Sequence, residues 1–242
     1  MRLDKLLSHS GFGSRKEVKQ LLKKKLVTLN GHQVKDGKIN VSETTDQISV
    51  DGQPVSYQAY FYYLLHKPKG VISATEDTSH RTVVDLLSKE DYRPDIFPVG
   101  RLDKDTTGLL LLTNDGDFSH NLLSPKKHVS KCYAATINGI VTAADCQNFA
   151  EGATISGGDI CQPALLEVLS VNQEKQTSDI KVTITEGKYH QVKRMFESVG
   201  KQVTELHRET MGRLTLDPSL APGQYRELTE AELMLLGLER AN

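Results

Sequence analysis

Apolar residues recur at helical spacing twice within the first thirty positions, at 3–7 and at 18–22. A period of three to four residues is typical of a helix with one buried face, so the sequence predicts two short helices here. Ser14 stands three residues before Glu17, and this spacing is typical of a capping box that starts the second helix.

Two short stretches of β-branched and apolar residues follow, each around a turn dipeptide. Residues 27–34 surround Asn30-Gly31, the strongest two-residue hairpin signal, and residues 48–55 surround Asp51-Gly52. Polar residues then separate this part from an apolar run that begins near Tyr60. The pattern predicts a module of two helices and a small sheet over residues 1–58.

Beyond residue 58 the apolar runs are longer, and strands and helices do not alternate regularly. Predicted strands occupy 60–65, 96–99, 109–113, 133–137, 165–171, 180–185, 203–206 and 214–216. Predicted helices occupy 83–87, 142–150, 189–199 and a last segment from the Thr229 cap to about residue 238. Because βαβ alternation is missing, we expect an α+β domain over residues 59–242 with a mixed or antiparallel sheet.

The overall charge is close to zero, but it is unevenly distributed. The 242 residues include 30 lysines and arginines against 31 acidic residues, a net charge of −1 that by itself argues against nucleic-acid binding. Residues 1–58, however, carry ten basic and six acidic residues, which is +4 and leaves −5 for the remainder. This asymmetry is typical of a basic module that binds nucleic acid, although a solvated helix face would show the same run of lysines.

Cysteine usage and hydropathy restrict the compartment. The cysteines at 132, 146 and 161 form no disulfide or zinc motif, and no apolar run approaches the roughly 20 residues that span a bilayer. The N-terminus lacks the apolar stretch of a signal peptide. We therefore expect a reduced, cytoplasmic protein.

A polar segment at 100–108 interrupts two predicted buried strands and contains Asp103 and Asp105. Buried carboxylates are costly unless they are paired or used, so this segment is a candidate site. One interpretation is a metal-dependent phosphohydrolase, in which Asp-x-Asp-x-Thr supplies two carboxylates. That motif normally follows a strand directly, whereas Gly100 and Arg101 intervene here. The one later candidate for holding a metal is the acidic pair of Asp115 and Asp117.

The other interpretation is a metal-free site that modifies an RNA base. Enzymes that act on a base take it out of the stack and hold it against an aromatic ring, for which Tyr133 is the candidate. Without that context, Tyr133 is a half-buried strand tyrosine. Lys193 or Arg194, within segment 186–196, would keep a nearby carboxylate ionised or bind RNA phosphates from a helix surface. His190 has no partner at metal-ligand spacing and is expected to be structural.

Three segments, in this order, resemble the motifs of the RsuA/RluB/RluE/RluF family of rRNA pseudouridine synthases. They are GRLDKDTTGL at 100–109, KCY at 131–133 and EGKYHQVKRMF at 186–196. The N-terminal module resembles an S4 RNA-binding domain through RLDKLL at 2–7, SRKEV at 14–18 and VTLNG at 27–31. The resemblance covers nearly the whole chain. It implies an α+β protein, with a small S4-like RNA-binding domain followed by a pseudouridine synthase domain whose mixed, largely antiparallel sheet is flanked by helices.

The resemblance implies a catalytic role for three residues. Asp103 would be the carboxylate that acts on the target uridine while the N-glycosidic bond breaks and the freed uracil turns to rejoin through C5. Attack at C1′, attack at C6 and proton abstraction all stay open as its first event. Tyr133 would stack on the flipped uracil and Lys193 would hold Asp103 ionised. Asp105 would set the loop geometry, and an apolar residue, which we expect to be Leu228, would face the site.

The resemblance further implies RNA contacts, but no cofactor and no metal. The predicted RNA-contact residues are Arg101, Arg194, Arg2, Lys5, Ser14, Arg15, Lys16, Lys19, Lys23 and Lys24. Large-subunit members of the family usually carry arginine where this chain has Lys193. The lysine therefore favours a 16S rRNA target (position 516). We further expect the partner to be this rRNA within an assembling small subunit, and the protein to be a monomer. The alternatives are a 23S rRNA or tRNA target, or a non-catalytic ribosome-assembly factor.

Overall fold

The structure is a computed structural model that describes residues 1–43 and 45–238. Within it the chain forms two compact units, one of residues 1–61 with 87–96, the other of residues 62–86 with those from 97 onward. The predicted boundary places 87–96 in the second domain, whereas the structure groups this segment with the first unit. There Arg93 Nε donates to the His9 carbonyl oxygen at 2.5 Å, and the Arg93 guanidinium lies 4.7 Å from the centre of the Phe61 ring.

The first unit has the predicted two helices and small sheet. The elements are α1 (Leu3–His9), α2 (Arg15–Lys23), β1 (Val27–Leu29), β2 (His32–Gln33), β3 (Ile48–Val50) and β4 (Gln53–Pro54), with antiparallel strands in the order β2-β1-β3-β4. The predicted capping box is present, because Ser14 and Glu17 each accept a hydrogen bond from the other's backbone N–H. Asn30 and Gly31 both have positive φ, as a tight hairpin turn requires.

The second unit is built on a large sheet of mixed direction. Its strands are β5 (Tyr62–Lys67), β6 (Phe97–Val99), β7 (Thr107–Thr113), β8 (Lys131–Asn138), β9 (Leu165–Asn172), β10 (Thr177–Ile184), β11 (Gln202–Met211), β12 (Leu214–Thr215) and β13 (Tyr225–Glu227). Its α-helices are α3 (Gly116–Leu123), α4 (Ala143–Glu151), α5 (Gln191–Ser198) and α6 (Glu230–Leu235). Short 3-10 helices lie at Val84–Leu86 and Pro125–Lys127.

The main strands follow the order β13-β5-β7-β11-β8-β10-β9, while β6 pairs with β7 and β12 with β11. Among the described strands, β7 and β11 form the one parallel pair. The predicted α+β class with a largely antiparallel sheet is therefore confirmed. None of the helices in the described part of the chain is both long and apolar enough to cross a membrane.

Helix α3 lies where the sequence predicted only a turn. Asp115 begins this helix, because its Oδ1 accepts a hydrogen bond from the Phe118 N–H at 2.9 Å. The Tyr62 hydroxyl donates to the other carboxylate oxygen of Asp115 at 2.7 Å. Asp115 is therefore a buried helix cap, and it is not available to hold the metal that the phosphohydrolase interpretation requires.

One row of paired residues crosses the large sheet beside the polar segment. Gly108 of β7 pairs with Lys67 of β5 and with Arg208 of β11, and Arg208 pairs in turn with Tyr133 of β8. Directly paired side chains project from the same face of a sheet, so this register places two buried cations and an aromatic ring together. A Cβ atom at Gly108 would overlap the Arg208 carbonyl oxygen, so glycine is required for this close approach of the two strands.

Candidate active site

Lys67 binds the backbone of the loop that contains Asp103 and Thr106, called here the Asp103 loop. Its side chain is fully buried at the end of β5, and its Nζ donates to the carbonyl oxygens of Asp103 and Thr106, each at 2.9 Å, and of Pro68 at 3.1 Å. Burial lowers the pKa of Lys67 to about 8, against the opposing effect of the Asp105 and Asp103 carboxylates. The carbonyl oxygens of this loop therefore converge on one buried cation, for which no role was predicted.

Ser73 forms a second set of hydrogen bonds to this loop, at Leu102, the residue before Asp103. Ser73 Oγ donates to the Leu102 carbonyl oxygen at 2.9 Å and accepts from the Leu102 N–H at 3.0 Å. Within the loop, the Thr106 N–H donates to the Asp103 carbonyl oxygen at 3.1 Å and closes a turn. These contacts use the backbone of the loop and leave the carboxylate of Asp103 directed at other partners.

Two side chains of the α5 region contact the Asp103 carboxylate. Lys193 Nζ lies 3.3 Å from Asp103 Oδ2, and His190 Nε2 lies 3.4 Å from Asp103 Oδ1. The Lys193 contact agrees with the prediction, whereas His190 was expected to be structural. His190 stands three residues before Lys193, and in the helix predicted over 189–199 this spacing would put both residues on one side. That spacing is the signal by which His190 could have been found.

Lys193 is shared between two carboxylates. Its Nζ lies 2.7 Å and 2.9 Å from the two carboxylate oxygens of Asp105, closer than to Asp103. Burial works against charge on both Lys193 and Asp105, but their mutual hydrogen bond and attraction outweigh it. The pKa of Lys193 is raised and the pKa of Asp105 is lowered. Asp105 therefore takes part in the charged cluster, beyond the loop-shaping role expected for it.

The loop that precedes α5 is bent to deliver His190. The helix begins at Gln191 rather than at residue 189 as predicted, and His190 adopts the left-handed conformation with φ of 47°. Gln191 stabilises the bend, because its Oε1 accepts from the Lys188 N–H at 2.8 Å and its Nε2 donates to Glu186 Oε1 at 2.8 Å.

Tyr133 lines the same pocket, a cavity of about 470 Å³ whose wall also includes Asp103, Lys193 and Arg208. Arg208 is 2% exposed, and the sequence analysis did not single it out. Its Nε donates to the Leu109 carbonyl oxygen at 2.7 Å, and its Nη1 lies 3.5 Å from the Tyr133 hydroxyl oxygen. The ring of Tyr133 is thereby supported by a buried cation from the neighbouring strand.

Apolar side chains complete the pocket, but Leu228 is not among them. The pocket is lined by Leu122, Val129, Ile184 and Leu206 among others. Leu228 instead lies 6% exposed in the core that packs around Leu64 and Leu111. The expectation for Leu228 was wrong because β13 and α6 direct this residue into the protein interior.

The predicted RNA-contact residues fall into two groups. In the first unit, Arg2, Lys5, Ser14, Arg15, Lys16, Lys19, Lys23 and Lys24 are all exposed. In the second unit, Arg101 is exposed at the pocket, whereas Arg194 donates through Nε to Ser156 Oγ at 3.0 Å and through Nη1 to the Tyr189 carbonyl oxygen at 3.2 Å. The Arg194 guanidinium thus joins two loops of the protein, and its contact with RNA stays a prediction.

Comparison with known proteins gives two family matches along the chain. Residues 1–48 match the S4 domain, and residues 61–198 match the model described as RNA pseudouridylate synthase. A solved structure titled "Crystal structure of pseudouridylate synthase" is similar with a TM-score of 0.68 and 35% sequence identity, over 98% of this chain and 99% of that one.

Similar sequences extend over the full chain. The uncharacterized RNA pseudouridine synthase YtzG of Bacillus subtilis (strain 168) is 51% identical over 241 residues and is covered completely, as is this chain. Ribosomal small subunit pseudouridine synthase A of Escherichia coli (strain K12) is 40% identical, over 96% of this chain and 98% of its own length. Ribosomal large subunit pseudouridine synthase B of Bacillus subtilis (strain 168) is 42% identical, over 97% of this chain and 95% of its own length.

The predicted family is confirmed by both domain matches and by identities well above 30% along the whole chain. The chain belongs to the RNA pseudouridine synthases of the RsuA/RluB type, which are isomerases with an S4 RNA-binding domain ahead of the synthase domain.

Proposed function

We propose that the protein isomerises one uridine of 16S rRNA to pseudouridine, acting as a cytoplasmic monomer on the assembling small ribosomal subunit. The observation that carries the small-subunit assignment is Lys193, because the family resemblance associates arginine at this position with large-subunit enzymes. Overall identity does not separate the two targets, since the small-subunit relative is 40% identical and the large-subunit relative 42%. The second of these values supports 23S rRNA as the alternative target.

Asp103 is the group that acts on the uridine in this proposal. Its carboxylate faces the pocket while its own backbone is held by Lys67, so little reorganisation is needed when the substrate arrives. The Lys193 ammonium, 3.3 Å away, orients this carboxylate and balances its negative charge in the pocket. His190 contacts the other carboxylate oxygen and limits its rotation.

The remaining pocket residues support exchange of the attachment point on the uracil. The C1′–N1 bond breaks, the freed ring turns, and a C1′–C5 bond forms, after which C5 loses a proton and N1 gains one. The reaction is therefore balanced without a water, hydride or electron. Tyr133 offers a ring on which uracil can stack during the turn, and its hydroxyl lies near the pocket as an aid to proton removal at C5.

Single-nucleotide mapping of pseudouridine tests this proposal. Ribosomal RNA from a strain lacking the gene is expected to lose one pseudouridine in 16S rRNA, and the wild-type gene is expected to restore it. The Asp103→Asn variant keeps the shape of the side chain but removes its charge, and we expect it to lower the modification rate by roughly 10³-fold or more.

Each outcome addresses a separate part of the proposal. A pseudouridine lost from 23S rRNA or tRNA, with 16S rRNA unchanged, would show that the target is wrong while the reaction stands. Undiminished modification by a folded Asp103→Asn enzyme would refute the catalytic role of Asp103.

A further inference from the structure

Tyr189 is an unusually exposed aromatic residue at the edge of the pocket. Its side chain lines the cavity together with Asp103 and Tyr133, yet the residue is 69% exposed. For comparison, Tyr133 is only 7% exposed. Large aromatic side chains contribute most to stability or binding when they are buried. The exposed ring at the pocket entrance is therefore a candidate binding surface for a ligand.

One face of the Tyr189 ring is already in a stack. The rings of Tyr189 and His190 lie nearly parallel, with centroids 3.8 Å apart and 17° between their planes. His190 in turn contacts Asp103 through Nε2. The backbone of Tyr189 is anchored as well, because its carbonyl oxygen accepts a hydrogen bond from Arg194 Nη1 at 3.2 Å. The ring is therefore held in place, and its exposure leaves the opposite face to solvent.

The surroundings of this face suit a nucleic acid. The exposed Arg101 lies at the same pocket, and Lys188 directly precedes Tyr189, with its Nζ donating to the Ile160 carbonyl oxygen at 2.7 Å. A ring with one free face beside cations is the arrangement by which proteins bind unpaired nucleotides, since bases stack on the ring and phosphates follow the charges. When one uridine enters the pocket, the nucleotides attached to it must lie at the pocket entrance.

We propose that Tyr189 stacks on the unpaired nucleobase next to the target uridine, forming a continuous layer of base, Tyr189 and His190 that ends at Asp103. The inference rests on entry of the target uridine into this pocket, as the proposed function requires. It adds a subsite for a flanking base. Stacking tolerates every base, so this subsite contributes affinity and alignment with little preference for sequence.

A fluorescent base analogue provides the direct test. An RNA fragment carries 2-aminopurine beside the uridine that the wild-type enzyme modifies, taken from 16S or 23S rRNA according to which one is modified. Wild-type enzyme is expected to quench the 2-aminopurine fluorescence on binding. Tyr189→Ala is expected to abolish this quenching and to raise KM and Kd for the fragment roughly tenfold, with a smaller decrease in kcat.

Matched variants separate stacking from other roles. Tyr189→Phe keeps the ring and is expected to retain quenching and affinity, whereas Tyr189→Leu keeps only apolar bulk and is expected to resemble Tyr189→Ala. Tyr92→Ala removes another exposed tyrosine, in the first unit, and is expected to change neither readout. The Asp103→Asn enzyme should still quench while modification is lost, which distinguishes the subsite from the catalytic proposal.

The inference fails under two results. If Tyr189→Ala quenches and binds as the wild type does but has a lower kcat, Tyr189 only orients His190. If Tyr189→Phe loses affinity as severely as Tyr189→Ala, the hydroxyl rather than the ring face is the binding group.

Discussion

Lysine and arginine occur in two contrasting environments in this protein. In the first unit the cations of α2 and the following residues are exposed, with the apolar side chains Val18 and Leu22 facing the core instead. Around the pocket of the second unit, Lys67 is fully buried, Arg208 is 2% exposed, and Lys193 touches two carboxylates. The same side-chain types are therefore used once as a charged surface and once as fixed parts of a site.

The difference has an energetic basis. An exposed cation interacts with phosphates through water and ions, so its contribution is small, additive and sensitive to salt. A buried cation loses its hydration and is tolerated only where several acceptors surround it, so each one depends on a specific geometry. Replacing one cation of the first unit should therefore weaken RNA binding only slightly, whereas replacing a buried cation at the pocket should strongly reduce stability or activity.

Lys67→Met is expected to show the severe effect most clearly. The change leaves the carbonyl oxygens of Asp103, Thr106 and Pro68 without their shared donor, and it should lower the free energy of unfolding by about 2–3 kcal/mol and disorder the catalytic loop. Urea denaturation and the modification rate measure the two consequences. Lys69→Met is the matched control, because Lys69 is exposed and pairs at the surface with Glu205. Equal effects of the two changes would contradict the assigned role of Lys67.

Lys193→Met is expected to lower kcat by roughly 100-fold, because the Asp103 carboxylate loses the cation that orients it and balances its charge. RNA binding should change little, since the residue acts inside the pocket. Asp105→Asn tests whether the second carboxylate partner of Lys193 matters. This change removes the charge that competes with Asp103 for Lys193, and it should lower kcat clearly less than Lys193→Met does. If Asp105→Asn is the more damaging change, Lys193 serves mainly to hold the Asp105 loop.

Combined replacement of Lys23, Lys24 and Lys25 by glutamate tests the gradual effect. We expect weaker RNA binding. The slope of the logarithm of the binding constant against the logarithm of the salt concentration should become shallower by about 2, because roughly three phosphate contacts are lost. Filter binding at several salt concentrations measures this slope, and kcat at saturating RNA should persist. Lys175→Glu, in the β9–β10 turn of the second unit, is the control. An unchanged slope in the triple variant would argue against the first unit as the source of affinity.

Arg226 represents an intermediate environment, partly exposed but bonded to Glu232 through two hydrogen bonds of 2.8 Å. The hydrogen bond from Arg226 lowers the pKa of Glu232 to about 2, against the effect of burial. The contribution of the Arg226–Glu232 ion pair to the free energy of unfolding is therefore fully present above pH 4.5, the ordinary pKa of Glu232. It is lost as the pH falls towards 2, the pKa in the folded protein. Glu232→Gln should cost about 1 kcal/mol of unfolding free energy at pH 7 and less at pH 3. Glu230→Gln, exposed in the same helix, is the control, and a pH-independent cost would contradict the ion pair as its cause.

Local signals predicted much of the fold. The Ser14–Glu17 and Thr229–Glu232 capping boxes and the Asn30-Gly31 hairpin were all correct, because each depends on residues within four positions of one another. Strand β7 was recognisable from its continuous apolar run, as expected for a central strand buried on both faces. Strand β11 was predicted too short, because its second half, from His207 to Thr210, consists of polar residues and lacks the alternation of apolar and polar positions.

The residue types of the candidate site and the contact of Lys193 with Asp103 were predictable, but the other contacts were not. Asp103, Tyr133 and Lys193 were selected from motifs, and the structure places all three at one pocket. The family resemblance supplied the partner of Lys193 but no role for His190 or Lys67, and their partners lie too far away in the sequence for a local pattern to show them. Lys67 meets acceptors 36 and 39 residues further along, and His190 meets a carboxylate 87 positions earlier.

The sequence by itself determined the family, the two modules, the helix starts and turns, and the identity of the main candidate residues, since all of these follow from short motifs and local periodicity. Only the tertiary structure decided which cations are buried, that Lys193 is shared with Asp105, and that Arg208 stands behind Tyr133. The physical reason is that burial and ion pairing are set by strand register. Gly108 aligns Lys67 with Arg208 across three strands, and no segment of the chain contains that information locally.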